Sequence, residues 1–216
     1  MIKACIFDCD GTLLDTLESI GTSANRTLRE MGFSEIPMED YNYLVGDGAD
    51  ELIRRCLRRN GDEACEHFPE TRERYRINFA EGCMYHVRPY EGIRRLLREL
   101  HAKGIRTAVL SNKPHEQTLE VIDTFFEKTD FDYVLGAGTE IPRKPAPDGA
   151  LLIAKQFGLD SEEILYIGDT NTDMQTGNAA KMHTVGVLWG FRDRRELEEH
   201  HAEYIVEKPQ DILKYL

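Results

Sequence analysis

The 216-residue chain is short of long apolar runs, of positive charge and of cysteine, and is therefore expected neither in a membrane nor outside the cell nor on a nucleic acid. Its longest uncharged run, Met182 to Phe191, is ten residues, roughly half the length of a membrane-spanning helix. The opening residues Met1-Ile2-Lys3-Ala4-Cys5-Ile6-Phe7-Asp8 reach a carboxylate before an apolar signal segment can form, so a cytoplasmic location is expected. Positive charge is scarce: 27 Lys and Arg against 39 Asp and Glu leave a net charge of −12, which repels a phosphate backbone. Neither a membrane nor a nucleic acid is therefore expected as a partner. Cysteine is sparse and odd in number, five in all, with no C-x-x-C pair and no His cluster at zinc spacing. That excludes a disulfide framework and a structural zinc, and leaves free thiols in a reducing compartment.

The short signatures of several enzyme classes are missing as well. The chain contains no G-x-x-x-x-G-K, no G-x-G-x-x-G, no H-E-x-x-H and no G-x-S-x-G. Nucleotide P-loop, dinucleotide, zinc-protease and serine-hydrolase chemistries thus have no support. Any chemistry must rest on carboxylates, hydroxyls and lysines, and lysine is itself absent between Lys3 and Lys103.

What is present is an alternation. Short apolar runs rich in β-branched or aromatic residues lie near 3–8, 105–110, 132–136, 163–168 and 183–188. Between them run helical periods, such as Ile93, Leu96, Leu97 and Leu100, then Leu151, Leu152, Ile153 and Phe157. Strands alternating with helices predict an α/β fold with a doubly wound parallel sheet. The exception is the stretch 16–88, where Leu17, Ile20, Ala24, Leu28 and Met31 begin a series of helical periods and no convincing strand appears. The expected organisation is a core of residues 1–15 and 89–216 with an inserted all-helical domain, 16–88. In that insertion Asp50 and Glu51 precede Arg54, Arg55, Arg58 and Arg59 at helical spacing, which reads first as a solvated, ion-paired face.

Four clusters carry the chemistry. Asp8-Cys9-Asp10-Gly11-Thr12 follows the first strand, where residues two apart point the same way and put both carboxylates on one face. In Ser111-Asn112-Lys113-Pro114 a hydroxyl ends the second strand just before a helix, whose amino-terminal dipole favours an anion; alone, this reads as an ordinary helix cap. Arg143-Lys144-Pro145 places a lysine in a proline-stiffened loop after the third strand. Gly168-Asp169-Thr170-Asn171-Thr172-Asp173 sets two carboxylates across a helix start, and capping accounts for only one of them. All four fall beyond carboxyl ends of predicted strands, where open α/β sheets place their ligand crevice. Converging Asp8, Asp10 and Asp169 repel one another unless a hard cation binds them, and carboxylate oxygens suit Mg²⁺. With that cation, Ser111 and Lys144 can neutralise the oxygens of a phosphoryl group, and a carboxylate can serve as nucleophile.

At these residues the chain resembles the haloacid dehalogenase-like hydrolases, whose signature is D-x-D-x-T, a later Ser or Thr, a later Lys and a terminal acidic pair. The resemblance spans essentially the whole chain and makes 16–88 a helical cap on a Rossmann-like core. Within the family it is to the phosphoglycolate phosphatase subgroup, on Leu44-Val45-Gly46-Asp47-Gly48-Ala49, Ser111-Asn112-Lys113-Pro114 and Arg143-Lys144-Pro145. It implies that Asp8 is a nucleophile that becomes transiently phosphorylated and that Asp10 is the general acid and base. It also implies that Asp8, the Asp10 backbone carbonyl and Asp169 hold Mg²⁺, while Ser111 and Lys144 hold the phosphoryl oxygens. Gly11, Thr12 and Asn112 bind the substrate from the core and Gly46, Asp47 and Gly48 from the cap, while Asn112, Asn171 and Asp173 support the groups named above. The expected partner is a small phosphorylated metabolite, and the expected state is a monomer or homodimer. β-Phosphoglucomutase-type transfer, pyrophosphatase or nucleotidase activity and a phospho-accepting regulator without turnover are the alternatives.

Overall fold

A computed structural model describes residues 1–138 and 140–216. The chain forms two compact units, one of Met1–Asp15 with Pro89–Leu216 and one of Thr16–Arg88.

The first unit is built on six strands: β1 (Ala4–Phe7), β2 (Arg106–Pro114), β3 (Tyr133–Ala137), β4 (Ile164–Gly168), β5 (His183–Val187) and β6 (Tyr204–Val206). All pair in parallel, in the order β3-β2-β1-β4-β5-β6. β1 is central, with Ala4 opposite Arg106 on one side and Ile164 on the other. Its four residues are completely buried, as a strand covered on both faces requires. The chain runs outward from β1 to β3 and then returns to the other side of β1 at β4. That reversal opens a crevice at the carboxyl ends of β1 and β4.

Among the described residues of this unit the α-helices are α5 (Ile93–Ala102), α6 (His115–Phe125), α7 (Asp148–Phe157), α8 (Asn171–Ala179) and α9 (Arg194–Glu199). On α7 the buried face is Ala150, Ile153, Ala154 and Phe157, which pack with Ala4, Ile6, Ala108, Leu110, Leu135 and Tyr166 from the sheet. Each large aliphatic side chain so buried contributes about 1.5–3 kcal/mol. Ile93, Leu96, Leu97 and Leu100 give α5 a fully buried stripe.

The second unit contains α1 (Leu17–Glu30), α2 (Tyr41–Leu44), α3 (Ala49–Arg59) and α4 (Phe68–Gly82). α1 and α4 lie against each other: Asn78 Nδ2 donates to Thr27 Oγ1 at 3.0 Å, and Arg26 pairs with Glu81 at 2.8 Å. On α3, Arg55 pairs with Asp47 and Glu51, Asp50 receives Arg72 at 2.6 Å, and Arg54 lies over the Phe68 ring. Such exposed pairs contribute less than about 1 kcal/mol each.

Three details differ from the sequence expectation. The second strand runs on to Pro114 instead of ending at 110, with its register broken between Leu110 and Pro114. Ser111 therefore lies inside the strand rather than at its end. Leu151 is 43% exposed, because the core face of α7 is set by Ala150, Ile153, Ala154 and Phe157 and turns Leu151 outward. β6 was not expected: three residues are too few to show a period, and Tyr204 and Ile205 are only half-buried. The five cysteines are free thiols, and no described helix is long and apolar enough to cross a membrane.

Candidate active site

Asp8 follows the last residue of β1, and its N–H still donates to the Ile167 carbonyl of β4 at 2.9 Å. Its Oδ1 accepts from the Cys9 N–H at 2.6 Å and lies 2.8 Å from Lys144 Nζ. Lys144 comes from the loop after β3, and the same ammonium is 2.7 Å from Asp173 Oδ1. Asp173, in the first turn of α8, uses its other oxygen to accept from the Thr170 N–H and hydroxyl, so it is both a helix cap and the partner of Lys144. The strand ends on Gly168 for a steric reason: a Cβ there would overlap the Asp173 side chain.

Asp169 is held between two segments. Thr12 Oγ1 donates to one oxygen at 3.0 Å and the Phe191 N–H to the other at 2.8 Å. Gly11, at φ +87°, and Gly190 both press on this carboxylate so closely that a Cβ at either would collide with it. Trp189 Nε1 donates to the Thr12 carbonyl at 3.0 Å, tying the segment after β5 to the loop after β1. Arg192, buried beside it, pairs with Glu196 at 2.9 Å, and the Asn171 N–H donates to that same Glu196 at 3.3 Å.

Asp10 has a lysine of its own: Lys113 Nζ is 2.8 Å from Asp10 Oδ1. The Lys113 N–H donates to Ser111 Oγ at 3.1 Å, and Asn112 Nδ2 donates to the Lys144 carbonyl at 3.1 Å. Ser111, Asn112, Lys113 and Lys144 are all buried. Gly46, Asp47 and Gly48 lie in the helical unit just before α3, with φ +110° and +85° at the two glycines and Asp47 paired to Arg55.

The structure thus brings Asp8, Lys144, Asp169 and Asp173 into one buried group, with Asp10 and Lys113 as a second ion pair beside it. Lys113 stood within the Ser111-to-Pro114 motif without a role of its own, and Trp189, Gly190, Phe191 and Arg192 belong to none of the four motifs. The only signal for them was the position of Lys113 directly after Ser111-Asn112 and of Trp189 within the long uncharged run.

Electrostatics follow from burial. Desolvation, and then the charges of Asp173 and Asp169, push Asp8 well above the usual carboxylate range, against the opposing pull of Lys144. Burial works to lower Lys144, but the charges of Asp173 and Asp8 outweigh it and hold the ammonium charged well beyond the ordinary lysine range. Asp169 is pushed up to about 7 by burial and the Asp173 charge. The Asp8, Asp169 and Asp173 carboxylates offer oxygens within 4.8 Å of one another, and a single lysine is shared by two of the three. Excess buried negative charge on hard oxygen donors fits a hard divalent cation such as Mg²⁺. One oxygen of Asp173 is neutralised by the Lys144 ammonium, whereas the partners of Asp169 given above, the Thr12 hydroxyl and the Phe191 N–H, are uncharged and leave its negative charge for a cation.

A parallel sheet with paired carboxylates beyond β1 and β4 and buried lysines between them is the architecture of a phosphoryl-handling hydrolase. The family model for haloacid dehalogenase-like hydrolases matches residues 5–187, and the chain belongs to that family. Among curated proteins it is similar to phosphoglycolate phosphatases over its full length. It is 30% identical to that of Nitrosospira multiformis, covering 96% of it, and 28% identical to that of Aquifex aeolicus, covering 97%. A solved structure from Lactobacillus delbrueckii subsp. bulgaricus, which carries the same name provisionally, superposes with a TM-score of 0.94 at 30% identity over 99% of this chain and 97% of its own. A β-phosphoglucomutase of Clostridium difficile shares the fold at TM-score 0.77 and 21% identity over 100% of this chain and 95% of its own.

Proposed function

We propose that the chain is a Mg²⁺-dependent phosphatase that hydrolyses a small phosphate monoester, 2-phosphoglycolate, through a phosphorylated Asp8. The class of phosphoric monoester hydrolase follows from the family and from the full-length similarity to phosphoglycolate phosphatases. The observation that carries the residue roles is the shared Lys144: one buried ammonium bonded to both Asp8 and Asp173 at the mouth of the sheet.

Asp8 attacks phosphorus in line and the ester oxygen leaves, giving an aspartyl phosphate. Asp10 protonates the departing oxygen and then takes a proton from the water that cleaves the acyl phosphate. Lys144 and Ser111 hold phosphoryl oxygens; Asn112 fixes the backbone of Lys144, and Asp173 its ammonium. Thr12 and Phe191 orient Asp169. Mg²⁺, held by Asp8, Asp169 and the Asp10 carbonyl, would supply charge neutralisation for the phosphoryl group.

The test is inorganic phosphate release with Mg²⁺ from 2-phosphoglycolate, β-glucose 1-phosphate, pyrophosphate, nucleoside monophosphates and p-nitrophenyl phosphate. Preference for 2-phosphoglycolate is expected. Broad, weak release keeps the phosphatase and removes the substrate, and sugar bisphosphate formation without phosphate release replaces hydrolysis by transfer.

A further inference from the structure

Resting on the phosphatase assignment above, we propose that Lys113 reads the second charge of the substrate. It selects phosphate esters that carry a carboxylate on the same carbon as the ester oxygen. Lysine is almost never fully buried without a reason, yet the Lys113 side chain is 1% exposed. A buried ion pair is a poor source of stability, since an apolar residue of equal volume avoids the cost of desolvating the charge. Nor does the fold require a cation here: Lys113 sits in a strand extension whose neighbours Leu110, Ser111 and Asn112 are uncharged and buried.

Its position supplies the reason. The two buried lysines divide the site between them. Lys144 stands on Asp8, where phosphorus is attacked, and Lys113 stands 2.8 Å from Asp10, which meets the leaving oxygen. Whatever follows the ester oxygen in the substrate must pass close to the Asp10 carboxyl. In the phosphate ester of a 2-hydroxy acid, the carboxylate oxygens lie three bonds from the ester oxygen. With that ester oxygen on Asp10, the carboxylate comes within reach of a cation bonded to the same Asp10 group. An ammonium has three donors, so it can serve Asp10 and a substrate carboxylate together. The hydrogen bond from the Lys113 N–H to Ser111 Oγ fixes this cation relative to the hydroxyl that holds the phosphoryl group. Two anionic ends of one small molecule would thus meet two separate buried ammonium groups, in a chain whose net charge of −12 otherwise repels them.

The test compares 2-phosphoglycolate with 2-phosphoglycolamide, which has the same shape without the charge, in the wild type and in Lys113→Met. The wild type is expected to prefer the acid by about 100-fold in kcat/KM, the scale of one charged hydrogen bond. Lys113→Met should collapse that preference to within about threefold, chiefly through KM for the acid. Losses that act through Asp10 fall on both esters and cancel in the ratio. Lys113→Arg, which keeps the cation, should retain a preference of at least about tenfold. If Lys113→Met does not fold, the wild-type ratio and Lys113→Arg still decide. A wild type that hydrolyses both esters equally, or a Lys113→Met with the preference intact, overturns the role of Lys113 and leaves the phosphatase standing. A wild type that releases phosphate from neither ester nor from p-nitrophenyl phosphate overturns both.

Discussion

The ammonium of Lys144 stands 2.8 Å from Asp8 Oδ1, and neither side chain is more than 9% exposed. Because Asp173 shares the same ammonium at 2.7 Å, removing it strands two carboxylates out of water at once. Lys144→Met is expected to destabilise the fold at pH 8 by about 3–5 kcal/mol, the cost of breaking a buried pair from one side. It should read as a lower urea midpoint at unchanged slope, with turnover lost. Full stability in the variant would show that these carboxylates are not charged against Lys144.

Tryptophan occurs once in the chain, and its indole N–H donates to the carbonyl of Thr12, whose hydroxyl donates to Asp169. Titration with Mg²⁺ should therefore change the emission of Trp189 saturably. Asp169→Asn should need at least about tenfold more Mg²⁺ for the same change. Asp10→Asn should shift it less, since only the backbone of residue 10 is assigned to the metal. The reverse order in the titration would refute that division of roles.

The carboxyl of Asp169, raised to about 7 by burial and by the charge of Asp173, makes stability depend on pH in a direction opposite to an ordinary salt-bridged acid. Between the unfolded value near 3.8 and about 7 the folded chain binds more protons than the unfolded one, so this group's contribution is lost as pH rises through that window. In chelator, the melting temperature should fall from pH 5 toward pH 8, and the fall should be smaller in Asp169→Asn. Mg²⁺ should raise the melting temperature more at the upper end than at the lower, because the cation binds the ionised form. An equal effect of Mg²⁺ at both ends would contradict the link.

Gly190 packs so closely on Asp169 and the Gly11 carbonyl that a Cβ there would sit far inside van der Waals contact, one neighbour being backbone. Gly190→Ala should cost about 1–3 kcal/mol of stability by overpacking. It should also lower kcat by displacing Asp169, seen as a raised Mg²⁺ requirement. A fully active variant would mean that Asp169 tolerates being moved.

Five of the six strands, their parallel pairing and the four acid, hydroxyl and lysine clusters were legible because each lies in a short apolar run or directly after one. Asp8 and Asp169 could be placed in one crevice because both directly follow strands of the parallel sheet that the alternation predicts, and such sheets set their ligand crevice beyond the carboxyl ends of the strands. Lys113 was not legible as a partner of Asp10, since that contact depends on a register break in β2 between Leu110 and Pro114 that leaves no mark in composition. The clamp formed by Trp189, Gly190 and Phe191 was hidden for a related reason. Its contacts to Thr12 and Asp169 run largely through backbone groups, which every sequence possesses. Leu151 misled because three consecutive apolar residues on α7 cannot all face the core of a helix.

The most direct test of the nucleophile is to quench the enzyme during turnover of 2-phosphoglycolate with Mg²⁺, reduce it with borohydride, and map the modified residue by mass spectrometry. An aspartyl phosphate is converted in this way to homoserine. Conversion at position 8, absent from Asp8→Asn, with phosphate release in that variant at least about 10³-fold below wild type, is the predicted result. Turnover with no modification at Asp8, or an Asp8→Asn protein that still releases phosphate at the wild-type rate, would contradict it.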